Sequence, residues 1–153
     1  MKKIFVYYSW TGNGDAVAEI LKTMGYEILK LTTNKPKGKS NFFKMMIYGQ
    51  KALKGEKARL NQYNLNIDDY ENIVIGSPIW AGKLSTPINT YLDENMEKLS
   101  NRKISFVLSA GGNDATKAQE FIKNIFKNST SIVISMPKKH LDTLKETLNN
   151  FLK

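Results

Sequence analysis

The sequence predicts an α/β fold: a five-stranded parallel sheet of strand order 2-1-3-4-5, with helices on both faces, in three layers. Three observations point to it. Short apolar runs rich in β-formers recur at 4–8, 26–31, 72–77, 104–109 and 131–136. Helical periodicity fills the intervals after most of them. Runs such as Ile73-Val74-Ile75 are apolar without alternation, as expected of strands buried on both faces. Right-handed crossovers leave few topologies for such a chain, and the order 2-1-3-4-5 is a common one.

Each element has its own signal. The first run, 4–8, stops at Ser9, and a helix over 14–24 follows, with Val17, Ile20, Leu21 and Met24 at helical spacing. The second run, 26–31, opens a long connection to the third, at 72–77. A helix over 87–98 places Ile88, Tyr91, Leu92 and Met96 on one face. After 104–109 a helix over 115–127 carries Ala118, Phe121, Ile122 and Ile125. The last run is followed by a helix over 138–152, with Leu141, Leu144, Leu148 and Leu152. There is no internal repeat or low-complexity linker, so residues 1–153 read as one domain.

Composition excludes several chemistries. The chain has no cysteine, which removes disulfides, iron–sulfur ligation and thiolate catalysis. The single histidine, His140, reads as a surface residue of the last helical segment, so histidine-based acid–base catalysis is not expected. No catalytic residue and no metal site is assigned. No apolar run reaches the ~20 residues of a membrane span. Met-Lys-Lys at the start is followed by too short an apolar run for a signal peptide. The expectation is a soluble, cytoplasmic protein.

In a sheet of this order a ligand sits beyond the C-terminal strand ends, at the switch point between the first and third strands. The segments after the first, third and fourth runs should then be binding loops. The first is Ser9-Trp10-Thr11-Gly12-Asn13-Gly14. A helix N-terminus offers free backbone N–H groups and a positive dipole end, and Ser9, Thr11 and Asn13 add side-chain donors. A terminal phosphate monoester fits such a loop; so does a plain βα turn with a good helix cap. The second is Gly76-Ser77-Pro78-Ile79-Trp80-Ala81-Gly82, in which Trp80 is expected to be exposed, either against a flat aromatic ligand or packed on a neighbouring helix. The third is Ser109-Ala110-Gly111-Gly112-Asn113-Asp114.

A phosphate site at one end and a ring site at the other describe flavin mononucleotide (FMN). Ser9-Trp-Thr-Gly-Asn, Gly76-Ser-Pro-Ile-Trp-Ala-Gly and Ser109-Ala-Gly-Gly together resemble the three FMN loops of the flavodoxins. Phe42-Phe-Lys-Met and Gly49-Gln-Lys-Ala-Leu resemble one bacterial branch of that family. The resemblance runs in register along the whole chain. It implies a flavodoxin-like three-layer sandwich, non-covalent FMN and electron transfer. It assigns Ser9, Thr11, Gly12 and Asn13 to the phosphate, with Trp10 and Gly14 in the same loop. It assigns Pro78, Ile79, Trp80, Ala81 and Gly82 to one side of the ring, and Ser109, Ala110, Gly111 and Gly112 to the other. Two departures stand out. Family members usually carry another hydroxyl where this chain has Gly14. Trp10 replaces an Arg or a small polar residue, and the sequence leaves the place of its ring open.

The charge is +9, and it is concentrated. Lys35, Lys37, Lys39, Lys44, Lys51, Lys54, Lys57 and Arg59 face a single acid, Glu56, so the segment Lys35–Arg59 carries +7. Phe42, Phe43, Met46 and Ile47 allow an amphipathic helix inside it. Such an arm can be a solvated surface, or dock acidic redox partner proteins. A nucleic-acid site would need exposed stacking aromatics, and Phe42, Phe43 and Tyr48 read as packing residues, so no nucleic-acid partner is expected. Two functions follow from the resemblance. One is an electron carrier between protein partners, monomeric or a homodimer. The alternative is an FMN-dependent NAD(P)H oxidoreductase acting on a quinone or another small acceptor. Either way a backbone carbonyl near Ala81–Gly82 is a candidate acceptor for the proton that a flavin ring gains on reduction.

Overall fold

The computed structural model describes residues 1–34, 57–112 and 114–153. Most of the basic arm and the helix expected around Phe42–Ile47 therefore lie outside the described residues, as does Asn113. The described chain runs β1 (Lys3–Tyr7), α1 (Asn13–Thr23), β2 (Glu27–Lys30), β3 (Asn72–Trp80), β4 (Lys83–Leu84), α2 (Thr86–Glu94), α3 (Met96–Leu99), β5 (Ile104–Ala110), α4 (Thr116–Ile125), β6 (Thr130–Ser135) and α5 (Leu141–Phe151). Short 3₁₀ turns at Ile67–Asp69 and Pro137–Lys139 precede β3 and α5.

The sheet order is β2-β1-β3-β5-β6, all neighbours parallel. The five long strands thus take the expected order. The addition is β4, a two-residue strand that folds back antiparallel on the end of β3, with Ile79 opposite Leu84 and Trp80 opposite Lys83. None of the described helices is long and apolar enough to cross a membrane.

Alternation along each strand divides the core in two. Ile4, Val6, Ile73, Ile75, Phe106 and Leu108 face one side, where Ile88, Tyr91 and Leu92 of α2 and Ala118 and Ile122 of α4 cover them. Phe5, Tyr7, Val74 and Val107 face the other, under Val17, Ala18 and Leu21 of α1 and Leu144 and Leu148 of α5. The helices stop where their patterns stop. At the end of α1, Tyr26 N–H bonds to the Leu21 carbonyl and Gly25 N–H to the Lys22 carbonyl, both at 3.1 Å, the paired closure of a Schellman cap. The expected helix over 87–98 is broken at Asn95 into α2 and α3, with the Asn95 amide nitrogen donating back to the Tyr91 carbonyl at 2.8 Å.

The long connection between β2 and β3 is closed at its base. Thr33 and Leu60 form an antiparallel bridge, and Asn61 N–H donates to the Thr32 carbonyl at 2.8 Å.

Gly76 sits opposite Tyr7 at the centre of the sheet. Phe5 and Tyr7 stack with ring centroids 4.8 Å apart, and they do so over this glycine. A Cβ there would lie 2.5 Å from Phe5 Cζ and 2.9 Å from Tyr7 Cβ. Gly76→Ala is therefore expected to destabilise the fold by about 1–3 kcal/mol through overpacking, read as a lower urea midpoint. An unchanged midpoint would mean that the Phe5 ring moves aside without cost.

Candidate functional site

The site is built on the unequal ends of β1 and β3. β1 stops at Tyr7, paired with Gly76, and Tyr8 N–H makes a last bond to the Gly76 carbonyl at 3.2 Å. β3 runs on through Ser77, Pro78, Ile79 and Trp80, paired with β5 as far as Pro78 opposite Ser109. Backbone groups of residues i and i+2 in a strand point to the same side. The missing N–H of Pro78 thus faces the gap beyond β1, where no strand needs it. Two sequence expectations are corrected here. Pro78, Ile79 and Trp80 belong to a strand, and only Ala81 and Gly82 form the turn. Ser109 and Ala110 are likewise the last residues of β5, leaving Gly111 and Gly112 as loop.

The first loop leaves β1 through Tyr8 and enters α1 at Gly12, whose φ of +92° lets the chain reverse into the helix. No side chain caps α1. The first helical bond runs from Ala16 N–H to the Gly12 carbonyl, so the N–H groups of Asn13, Gly14 and Asp15 precede the helical ladder. Ser9 Oγ is buried without a well-formed hydrogen bond, although it lies near enough to Asp15 to favour that carboxylate's charged form. Asn13 Nδ2 donates to Thr11 Oγ1 at 3.3 Å. Open N–H groups, a helix dipole and hydroxyls on one small arc form a cradle that could hold an anion.

Beneath the cradle lies a polar network. Tyr7 OH donates to Asp15 Oδ1 at 2.8 Å, and Lys30 Nζ reaches the same oxygen at 2.7 Å. Burial works against ionisation of Asp15, but the hydrogen bonds from Lys30 and Tyr7 outweigh it and hold the carboxyl below its ordinary value. Burial, with the Asp15 carboxylate beside it, pushes the Tyr7 phenol up. The pairing matters for the cradle: a free carboxylate in the first turn would repel an anion, and Lys30 offsets it.

The ring side differs from expectation. Trp80 is 9 % exposed, not an open loop residue. Its ring meets the edge of Tyr8 at 5.7 Å and of Trp10 at 6.2 Å, both near perpendicular. Trp10, whose place the sequence left open, is the partly exposed outer member of this trio. Next to it, Ala81 (φ +50°) and Gly82 (φ +78°) make the two-residue turn of the β3–β4 hairpin with both residues left-handed. Glycine accepts this; Ala81 carries strain of about 1–3 kcal/mol. The Gly82 carbonyl accepts from Ala118 N–H at 3.0 Å. The sequence points to a backbone carbonyl near Ala81–Gly82 as a proton acceptor, and that of Gly82 already accepts this bond. Ala81, Gly82, Asp114 and Lys117 line a shallow pocket beside the turn. Below it, Ser77 Oγ accepts from Ser85 N–H at 2.9 Å and so ties β3 to the start of α2.

The sequence profile of the flavodoxin domain matches residues 47–140. The chain belongs to the flavodoxin family. No curated protein is a significant match to it. Among solved structures it resembles a flavoprotein from Lactobacillus acidophilus in complex with FMN, with TM-score 0.72 and 20% identity, over 94% of this chain and 97% of that one. A flavodoxin from the domain Archaea aligns with TM-score 0.58 and 18% identity, over 99% and 96%. The two-electron reduced flavodoxin of Megasphaera elsdenii aligns with TM-score 0.52 and 16% identity, over 96% and 98%.

Within the flavodoxin fold, the glycine at 14 now has a physical reason. A Cβ there would lie 2.9 Å from the Tyr7 ring and 3.0 Å from Ser9 Cβ. The side chain of Tyr7, held by Asp15, occupies the space in which a hydroxyl-bearing residue would stand. One cation was not foreseen at all. Lys138, in the turn after β6, reaches the Thr11 carbonyl with Nζ at 2.7 Å. His140 is exposed and sits at the start of α5. The arm meets the described residues at Lys57, which forms a salt bridge with Asp93 on α2, both side chains exposed.

Two outcomes follow. Gly14→Ser should lower stability by about 1–3 kcal/mol through the clash with Tyr7 and leave flavin affinity no better; a tighter-binding, equally stable variant would refute the steric account. For Asp15 the folded carboxyl is more acidic than the unfolded one. Its contribution is thus present above the unfolded value, near pH 4, and is lost as pH falls through the folded value. Asp15→Asn should flatten that acid limb in urea denaturation series; parallel wild-type and variant curves below pH 4 would show the network carries none of it.

Proposed function

We propose that this chain binds one FMN non-covalently and passes electrons between protein partners. The observation that carries the proposal is the anion cradle at α1, with the buried Ser9 hydroxyl and unladdered N–H groups facing it, set beside an aromatic trio and a strained hairpin turn. The residues present fit the cofactor. Ser9, Thr11, Asn13 and the N–H groups of Asn13 and Gly14 would hold the phosphate. Trp10, with Trp80 behind it, the Ala81–Gly82 turn and Gly111–Gly112 would border the ring. Because Trp10 lies against Trp80, a ring that reaches Trp80 has to move Trp10 aside; otherwise Trp10 is the surface it stacks on.

Bound flavin supplies the electron chemistry, and the protein tunes it. The Ala81 carbonyl, in a turn with Gly82, is the remaining acceptor for a proton on the ring edge. Lys83 and Lys117 stand near the turn, and Asp114 lies in the same pocket. The backbone and side-chain hydroxyl hydrogen bonds from Thr116 hold the Asp114 carboxyl below its ordinary value, so a negative charge balances these lysines. Redox partners of acidic surface would complement the basic segment Lys35–Arg59.

Titration of the flavin-free chain, followed by flavin fluorescence, tests the reading. FMN is expected to bind with 1:1 stoichiometry and more tightly than riboflavin or FAD. Thr11→Ala should weaken FMN by about 1–3 kcal/mol, because the lost bond is to a charged group. Equal affinity for riboflavin and FMN would remove the phosphate assignment. In stopped flow the holoprotein should be reduced only slowly by NADPH; rapid reduction would move the reading to an NAD(P)H oxidoreductase.

A further inference from the structure

The turn after β6 carries a cation to the N-terminus of α1. Met136 N–H is anchored on the Ala110 carbonyl at 3.1 Å. Met136 itself takes a φ of +43°, a conformation that side-chain-bearing residues rarely adopt. Pro137, buried, then starts the 3₁₀ turn Pro137–Lys139. The result is a strap laid across the cradle. Lys138 N–H lies 3.2 Å from Asn13 Oδ1. Its side chain passes Gly12, with Cδ 3.9 Å from where a Cβ would stand, and ends with Nζ on the Thr11 carbonyl. A Cβ at position 12 would make only ordinary contact with this stem; it is the φ of +92° that favours glycine there.

The ammonium has capacity to spare. Lysine carries three N–H donors, and Thr11 takes one. Among the described residues the salt bridges are made by Lys30, Lys57, Lys98 and Arg102, and Lys138 pairs with no carboxylate. The carboxylate in the first turn of α1, Asp15, is already neutralised by Lys30. No described carboxylate therefore compensates the charge of Lys138, which stands where backbone N–H groups and hydroxyls converge.

We propose that Lys138 is a phosphate-binding residue of this site: its ammonium pairs with the phosphate monoester of the flavin while its backbone N–H fixes Asn13. The inference rests on the FMN reading above. It makes the cradle selective by charge as well as by hydrogen bonding, and it makes FMN affinity fall with salt more steeply than neutral donors would.

The test compares FMN and riboflavin on the full chain, wild type and variants, at low and high salt. Lys138→Met keeps the stem and removes the charge. It is expected to weaken FMN about tenfold, a typical effect for a charged hydrogen bond on an exposed group. It should leave riboflavin within about twofold and flatten the salt dependence of FMN binding. Lys138→Arg should restore most of the FMN affinity, and Lys139→Met, one residue along, should leave it unchanged. Equal loss for both flavins would mean that Lys138 only holds the loop through Thr11, and the proposal fails. It fails too if Lys138→Met binds FMN as wild type does, or if Lys139→Met does the same damage, since a diffuse field would then explain the effect. In each of these cases wild-type preference for FMN leaves the flavin reading standing. A wild-type chain that does not bind FMN overturns both.

Discussion

The site depends on one mismatch of length. β1 ends opposite Gly76, and β3 continues four residues further to Trp80. A parallel sheet with even ends would offer only loops at its carboxyl edge. Here the central strand projects as a ledge beyond β1, tied to β5 as far as Pro78 and to β4 at Ile79 and Trp80. The chain leaving β1 passes this ledge, and Tyr8 and Trp10 come to rest against Trp80. Pro78 is tolerated in mid-strand for the same reason. The overhang also lets β3 turn at Ala81–Gly82 and fold back as β4.

The two halves of the site are held by different physics. The cradle is polar and shallow, and it rests on the pairing of Asp15 with Lys30 and Tyr7. The ring side is apolar and tightly packed, with Ser77 and Ser85 hydrogen-bonded beneath it. The segment from Tyr8 to Thr11 joins them, and so does the strap, in which Met136 N–H holds the Ala110 carbonyl while Lys138 reaches Asn13 and Thr11. The strained residues cluster here as well: Ala81 at the hairpin and Met136 at the strap are the two described non-glycine residues with positive φ. Backbone strain of this kind persists only where the surroundings enforce it. β4 and the Ala118 bond enforce the first; the Ala110 anchor and Pro137 enforce the second.

Much of the fold was legible in the sequence because period is a local signal. All five long strands and the helices α1, α2, α4 and α5 coincide with apolar runs or stripes, within a few residues. The end of β3 was misread because Gly-Ser-Pro punctuates most chains as a loop. The sequence does not show that β1 stops early and leaves Pro78 unopposed. Trp80 was expected in the open for the same reason. The strand-to-helix turn from Ser9 to Gly14 was legible, since its polar groups are adjacent in sequence. Lys138 was not: it lies 125 positions beyond Asn13 and meets it only because α1 and α5 share one face of the sheet. A lysine in a Pro-Lys-Lys turn carries no mark of that meeting.

The bridge between Thr33 and Leu60 has an evolutionary corollary. It staples the two ends of the connection between β2 and β3 before either reaches the sheet. The insert is also held on α2, where Lys57 pairs with Asp93 and Ala58 N–H donates to Thr90 Oγ1 at 2.9 Å, and the cost of closing a loop over such a bridge grows only slowly, by about 0.6 kcal/mol for each doubling in length. The stretch between Asn34 and Lys57 can then change in length while the bridge keeps β2 and β3 in register. A change in the number of residues between these two anchors therefore costs the rest of the fold little.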